Sequence, residues 1–168
     1  MPHGISTCGC ECKDGVVVEL DGICNYLPIG DGIVTAGQPS EEHLRQLASG
    51  GFEAVVNLGL LDPKYCLPNE AASVAALGMS YHHIPVIFQK PLIQDYERFH
   101  QTMCTLRDRT VFVHCAMNYR VSCFSALYGE AELGWSRERA DAHIAQVWEP
   151  DETWSVFLKR VRGGWKGL

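Results

Sequence analysis

The sequence has little positive charge and no long apolar run. Lys and Arg number 14 against 20 Asp and Glu, which gives a formal net charge of −6. It therefore lacks the excess of basic residues on which most nucleic-acid and membrane-surface binding depends. No stretch approaches the roughly 20 consecutive apolar residues of a membrane-spanning helix. The composition argues against nucleic-acid and membrane partners and leaves room for one small, local positive site.

Residues 1–14 lack the charged region and apolar core of a signal peptide, so we expect a cytoplasmic protein. In a reducing compartment the eight cysteines would be free, ligating or catalytic rather than paired. Cys8, Cys10 and Cys12 alternate near the start, with His3 close by and Cys24 further along, and such a set could bind zinc. The spacing is not that of an ordinary zinc knuckle, so we interpret residues 1–15 as a mobile leader.

The remaining composition is that of one folded domain. With 168 residues, 46% of them apolar, the chain can bury a full core without a disulfide or a metal. We find no repeat, linker or low-complexity segment. The sequence predicts a single domain over residues 16–162 and a short tail over residues 163–168.

Strand-like and helical segments alternate along most of this domain. The first strands, separated by Asp-Gly turns, predict a small antiparallel meander. From residue 54 onward, apolar strands alternate with helices, which predicts an α/β fold with a central, mostly parallel sheet flanked by helices. The predicted strands are 16–20, 23–29, 33–36, 54–58, 81–87 and 110–114, and the predicted helices are 40–49, 69–77, 91–106, 121–133, one from 136, and 151–162.

One segment contains the candidate catalytic residues. It runs from a strand through a short loop into a helix. Cys115 ends the strand, the loop contains Ala116, Met117, Asn118 and Tyr119, and Arg120 closes it. Backbone N–H groups and the helix dipole favour an anion at a helix N-terminus, and they make a thiol there easier to ionise. Arg120 offers a planar fork for an oxyanion.

Two neighbouring residues have predicted roles at this loop. Asn118 stands where a glycine would suit the turn, and Asn is the residue that best tolerates a left-handed conformation after glycine. Ser122, in the following helix, could donate a hydrogen bond to the thiolate or to a leaving group.

The loop resembles the active-site loop of the cysteine-dependent phosphatase superfamily, with its His114-Cys115 opening and its closing Arg120. Residues 33–40, 51–58 and 83–86 are similar to a bacterial family of small phosphatase-like domains, found alone or fused to a beta-lactamase-like hydrolase. The resemblance covers roughly residues 23–162 in the expected order. It implies the tyrosine/dual-specificity phosphatase fold, and a His114 that helps to set the ionisation of Cys115.

Two features depart from that pattern. Four residues separate Cys115 from Arg120, whereas tyrosine phosphatases have five; four is the spacing associated with rhodanese-like sulfurtransferases, where the cysteine carries a persulfide. Residues 84–94 contain no Asp or Glu, although a phosphatase of this type has its general acid in this window. Asp95 is the nearest candidate, with N-terminal capping as its default role, and Asp62 is the other.

Three hypotheses follow. The first is a cysteine-dependent phosphatase that acts on a phosphorylated protein or a small phosphoester through a Cys115 thiophosphoryl intermediate. The second is a sulfurtransferase that takes sulfane sulfur from a donor, and the third is a module that binds oxyanions without turnover. None of the three requires an organic cofactor or a metal.

Overall fold

The computed structural model describes residues 20–30 and 32–164. Five strands form one sheet in the order β1-β2-β5-β3-β4. Only β1 and β2 pair antiparallel, and the other neighbouring strands pair parallel. In chain order the elements are β1 Leu27–Gly30, β2 Ile33–Ala36, α1 Glu41–Ser49, β3 Ala54–Asn57, α2 Glu70–Ala76, β4 Ser80–His83, α3 Ile93–Thr105, β5 Val111–His114, α4 Tyr119–Glu132, α5 Arg137–Ala145 and α6 Glu152–Gly164.

The sheet separates two apolar cores, as the period-2 alternation of β5 requires. Val111 and Val113 pack into a large core with side chains from α3, α4, α5 and α6. Phe112 points into a smaller core with side chains from α1 and α2. The predicted α/β class, with a mostly parallel sheet flanked by helices, is confirmed. None of the helices in the described ranges is long and apolar enough to cross a membrane.

The N-terminal part differs from the predicted meander. Residues 16–19 of its first strand lie outside the described residues, as does the leader 1–15. The predicted return strand 23–29 is shorter, because residues 21–25 form turns and β1 begins at Leu27. Asn25 has a φ of 51°, which no regular strand accommodates. The predicted hairpin between β1 and β2 is present.

Three predicted boundaries also shift. β4 ends at His83 rather than Ile87, although the N–H groups of Ile84 and Val86 still donate to the carbonyls of Asn57 and Leu58. α4 begins at Tyr119 rather than Val121, directly after the left-handed turn at Asn118. The predicted tail is helical as far as Gly164, since glycine weakens a helix without preventing one. Residues 165–168 lie outside the described part.

The predicted start of α1 is confirmed in detail. Ser40 caps the helix by accepting a hydrogen bond from the N–H of His43, and His43 Nδ1 accepts one from the N–H of Ser40. His43 thus takes the place that Glu has in an ordinary capping box.

Candidate active site

The candidate site lies where the central strand β5 ends. Its neighbours β2 and β3 run parallel to it, so the carboxyl ends of three adjacent strands meet at one edge of the sheet. Open α/β sheets place their ligands at this edge. Cys115 directly follows β5 and is buried, and Arg120 lies in the first turn of α4.

Asn118 gives the loop its turn. Its φ of 65° places it in the left-handed region, as the sequence predicted. Its side-chain Nδ2 donates to the carbonyl of Asn25 at 2.8 Å and to Oγ1 of Thr35 at 3.1 Å. Asn25 returns a hydrogen bond from its own Nδ2 to the carbonyl of Met117 at 2.8 Å. The reciprocal pair of asparagines ties the loop to the segment before β1 and to β2.

A close backbone approach holds the other side of the loop. The N–H of Gln38 donates to the carbonyl of Ala116 at 3.0 Å. A Cβ atom on the preceding Gly37 would lie 2.6 Å from that same carbonyl oxygen, so only glycine fits here without a shift. The loop is therefore shaped by residues that lie almost 80 positions earlier in the chain.

Arg120 is a buried cation with free donors. Its Nη1 donates to the carbonyl of Val86 at 2.9 Å, and its buried Nε has no hydrogen-bond partner within residues 20–30 and 32–164. Nor does Arg120 form a salt bridge with any carboxylate of those residues. A buried guanidinium without an anion is costly. The arrangement suits a tetrahedral oxyanion bound beside Cys115.

The start of α4 adds further donors. The first backbone-to-backbone bond of the helix runs from the N–H of Ser122 to the carbonyl of Asn118 at 2.8 Å. The N–H groups of Tyr119, Arg120 and Val121 come before it and have no acceptor inside the helix. They provide the partial positive charge that favours an anion at a helix N-terminus.

A buried carboxylate behind the loop is the main feature that sequence reasoning missed. Oε2 of Glu70 lies 2.8 Å from Nε2 of His114, and both side chains are almost completely buried. Gln38 Nε2 donates to Oε1 of Glu70 at 2.6 Å, and Asn57 Nδ2 donates to Oε2 at 3.3 Å. Burial alone would raise the pKa of Glu70, but His114, Gln38 and Tyr81 outweigh it and hold that pKa below its usual value. Glu70 is therefore a carboxylate with three donors.

Asn57 connects this network to the loop. Its Oδ1 accepts a hydrogen bond from the N–H of Gly59 at 2.7 Å. A Cβ on Gly59 would lie 3.7 Å from the Cα of Cys115. The carbonyl of Gly59 in turn is 2.7 Å from Nε2 of His83. The segment after β3 thus packs directly on the backbone of Cys115.

His114 does not touch the thiol through its ring. Its Nδ1 lies 3.3 Å from the carbonyl of Cys115, and its Nε2 faces Glu70. The ring therefore makes no direct contact through which it could influence the ionisation of Cys115. The predicted influence stays a prediction. The partner Glu70 lies 44 residues away along the chain, and no local sequence signal indicates it.

Ser122 has other partners than the thiol. Its Oγ donates to the carbonyl of Tyr119 at 2.8 Å and accepts from Nε1 of Trp148 at 3.1 Å. The ring of Tyr119 stacks on Trp148 with centroids 4.6 Å apart. In this arrangement the one hydroxyl proton of Ser122 is directed at a carbonyl, so its predicted donation to the thiolate requires a rotation.

The candidate acids are both engaged in local structure. Asp95 accepts a hydrogen bond from the N–H of Leu92 at 3.1 Å and pairs with Arg98 at 2.5 Å, which is the geometry of a helix cap. Asp62 accepts from the N–H of Lys64 at 2.9 Å and closes a turn. A catalytic role for either stays a prediction.

The remaining thiols divide by burial. Cys123 is fully buried, and burial raises its pKa to about 12. Cys24 is exposed, and Cys66 and Cys104 are half-buried. Cys8, Cys10 and Cys12 lie outside the described residues.

Comparison with solved structures identifies the class of fold. No family model and no curated protein matches the sequence. The structure superposes on TpbA of P. aeruginosa in complex with phosphotyrosine, with a TM-score of 0.66 and 14% identity over 80% of this chain and 83% of that one. It also superposes on PTPMT1 in complex with PI(5)P, with a TM-score of 0.67 and 16% identity over 80% and 92% of the two chains. The fold is that of the tyrosine/dual-specificity phosphatases.

A more similar structure belongs to a narrower group. A phosphatase-like DUF442 protein of Shewanella putrefaciens CN-32 is 28% identical, with a TM-score of 0.77 over 88% of this chain and 96% of that one. The resemblance to a phosphatase-like domain family is thereby confirmed.

Proposed function

We propose that the protein is a cysteine-dependent phosphatase whose nucleophile is Cys115. The observation that carries this proposal is the buried guanidinium of Arg120, which lies one loop away from the thiol and has no carboxylate partner in the described structure. A phosphoryl group would supply the missing negative charge. The likeness to phosphatase structures supports the same chemistry.

The reaction balances in two steps. The thiolate of Cys115 attacks phosphorus, an S–P bond forms, the ester P–O bond breaks, and the leaving oxygen takes a proton from an acid or from water. Water then attacks the thiophosphoryl group, the S–P bond breaks, and inorganic phosphate and the thiolate are released. Arg120 and the first N–H groups of α4 would hold the equatorial oxygens through both steps.

Glu70 would assist this chemistry from behind the loop. Its carboxylate lies 2.8 Å from Nε2 of His114 and fixes the ring of the residue that precedes Cys115. Since Glu70, Asn57 and Gln38 also fix the segments that contact residues 115 and 116, they would act as positioning residues.

The outer edge of the site suggests the kind of phosphoester. Met117, Ile87, Leu60 and Leu61 are exposed apolar side chains on segments that follow β3, β4 and β5. Tyr119, half-buried and stacked on Trp148, adds an aromatic face at the start of α4. An ester with an aromatic or apolar leaving group, on a protein or a small molecule, fits such an edge better than a sugar phosphate.

Sulfur transfer is the second candidate function. The four-residue spacing between Cys115 and Arg120 favours it, and so does the absence of Asp and Glu from residues 84–94. A persulfide on Cys115 would form by taking sulfane sulfur from a donor and would be discharged to an acceptor thiol or cyanide. This exchange needs no general acid.

One experiment separates the candidates. The reduced protein is assayed on an aryl phosphate and, in parallel, on thiosulfate with cyanide, beside Cys115→Ser and Arg120→Lys. Cys66→Ser is the matched control, because Cys66 is a half-buried thiol outside the loop of residues 115–120. We expect phosphate release that Cys115→Ser abolishes and Cys66→Ser retains. Thiocyanate formation that depends on Cys115, without phosphate release, would overturn the phosphatase proposal. Neither activity, with phosphate still raising the melting temperature, would indicate an anion-binding module.

A further inference from the structure

A second cluster of reactive side chains lies on the helix pair α3 and α4. His100 and Cys104 are one helical turn apart on α3, and Glu132 is the last residue of α4. Nε2 of His100 is 2.7 Å from Oε1 of Glu132 and 3.7 Å from Sγ of Cys104. All three ligand atoms lie within 4.8 Å of one another. At a rise of about 1.5 Å per residue, Glu132 is roughly 20 Å along α4 from the Cys115 loop.

We propose that His100, Cys104 and Glu132 bind a zinc ion that links α3 to α4. Imidazole, thiolate and carboxylate are the three ligand types that zinc takes in proteins. Zinc bonds of about 2.0–2.3 Å in tetrahedral geometry place two ligand atoms about 3.3–3.6 Å apart. The separation of 3.7 Å between sulfur and nitrogen is close to this value, and the pair at 2.7 Å would open slightly.

The spacing along α3 supports the assignment. Residues i and i+4 share one face of a helix, so His100 and Cys104 present two ligands without any change of backbone. Glu132 is supplied by the neighbouring helix, 28 positions after Cys104 in the sequence. Ligands from two packed helices would hold the ends of those helices together.

Burial and access also fit a bound ion. The side chain of His100 is 7% exposed, whereas that of Glu132 is 32% exposed. The carboxylate is therefore at the protein surface, where an ion can enter and where water can complete the fourth position. The ring of Tyr128, with its centroid 5.9 Å from that of His100, packs beside the inner ligand.

The charge balance favours the bound state. On binding, Cys104 releases its thiol proton to solvent, His100 binds through Nε2 with its proton on Nδ1, and Glu132 binds as the carboxylate. One doubly charged cation and two anionic ligands make a neutral site.

Cobalt provides a direct test, because a cobalt–thiolate bond has a near-ultraviolet charge-transfer band. The reduced, metal-free protein with Cys8, Cys10 and Cys12 replaced by Ser is titrated with Co²⁺ and then with Zn²⁺. We expect one equivalent of Co²⁺ to give the band and tetrahedral visible bands, and Zn²⁺ to displace it. Cys104→Ser should abolish the charge-transfer band, and Cys66→Ser should retain it.

Glu132→Gln is a second test variant, which keeps the proposal testable if Cys104→Ser fails to fold. The Gln side chain keeps an acceptor for His100 but is a poor zinc ligand, so Co²⁺ affinity should fall at least about tenfold. At a free zinc concentration of about 100 times the dissociation constant, the ratio of folded to unfolded protein should rise about 100-fold, and Glu132→Gln should lose most of this gain. Absence of the band, or a band that survives Cys104→Ser or is unaffected by Glu132→Gln, would overturn the proposal.

Discussion

Glu70 and His114 lie in direct contact behind the candidate nucleophile, with Oε2 and Nε2 2.8 Å apart and both side chains buried. Gln38 and Asn57 donate to the same carboxylate. Replacing Glu70 by Gln removes the negative charge and leaves one oxygen acceptor where two now accept from Gln38 and Asn57. We expect Glu70→Gln to lower the free energy of unfolding by about 3 kcal/mol, measured by urea unfolding. A loss below about 0.5 kcal/mol would contradict the network.

The same carboxylate predicts a pH dependence. The pKa of Glu70 lies below its ordinary value of 4.5 in the folded protein, so the unfolded chain takes up the proton more readily. The stabilisation is therefore complete above about pH 5 and is lost as the pH falls below 4.5. Between about pH 5 and about pH 3 the stability of Glu70→Gln should fall less steeply than that of the parent protein. If the stability of the two proteins fell in parallel over this pH range, the lowered pKa of Glu70 in the folded protein would be contradicted.

His143 predicts a second pH effect, at higher pH. Burial, followed by the positive charge of Arg139, lowers its pKa from 6.5 to about 4. The unfolded chain therefore binds a proton that the folded protein excludes, and stability is lost as the pH falls from 6.5 towards 4. The full effect is about 3 kcal/mol. His143→Phe, which keeps a ring against Trp135, should flatten the stability curve in this range; an unchanged slope would contradict the assignment.

Gly37 predicts a steric effect on the loop. A Cβ here would lie 2.6 Å from the carbonyl oxygen of Ala116. We expect Gly37→Ala to lower the free energy of unfolding by about 1–3 kcal/mol and to displace the loop. Any activity that depends on Cys115 should then be lost. Gly163→Ala is the matched control, since a Cβ there meets nothing within 4 Å. The control substitution should raise the free energy of unfolding by about 0.5–1 kcal/mol, because alanine has a higher helix propensity than glycine. Equal effects of the two substitutions would refute the close approach.

Replacement of Asp95 should affect stability and leave turnover nearly unchanged. Its carboxylate caps α3 and pairs with Arg98. Asp95→Asn should lower the free energy of unfolding by about 1 kcal/mol. Removing a general acid would instead reduce the rate about 10²–10⁴-fold, most of all for esters with poor leaving groups. We expect kcat to change little for a poor and a good leaving group alike, and a selective loss with the poor one would establish Asp95 as the acid.

The sequence indicates the loop well because its signal is local. A buried strand, Cys115, a turn at Asn118 and a helix with Arg120 follow one another within ten residues, and each has a recognisable residue preference. The sheet follows from the same alternation of strands and helices. Both the fold class and the left-handed Asn118 could therefore be predicted.

The residues that support the loop could not be predicted in this way. Glu70 reaches His114, and Asn25 reaches Met117, across 44 and 92 positions of the chain. Each is an ordinary polar residue whose importance arises only when the sheet brings it beside the loop. His100 and Cys104 have helical spacing, but they gave no specific signal in the sequence, because Glu132 joins them only through the packing of α3 on α4.

The segment that follows β4 is attached at two successive points. Arg120 binds the carbonyl of Val86 at 2.9 Å, and Nε1 of Trp154, from α6, binds the carbonyl of Phe88 at 2.9 Å. A segment that is hydrogen-bonded both to Arg120 and to the C-terminal helix has little freedom to move. Any turnover should then not be limited by motion of this segment. Raising the solvent viscosity with sucrose should therefore leave kcat unchanged.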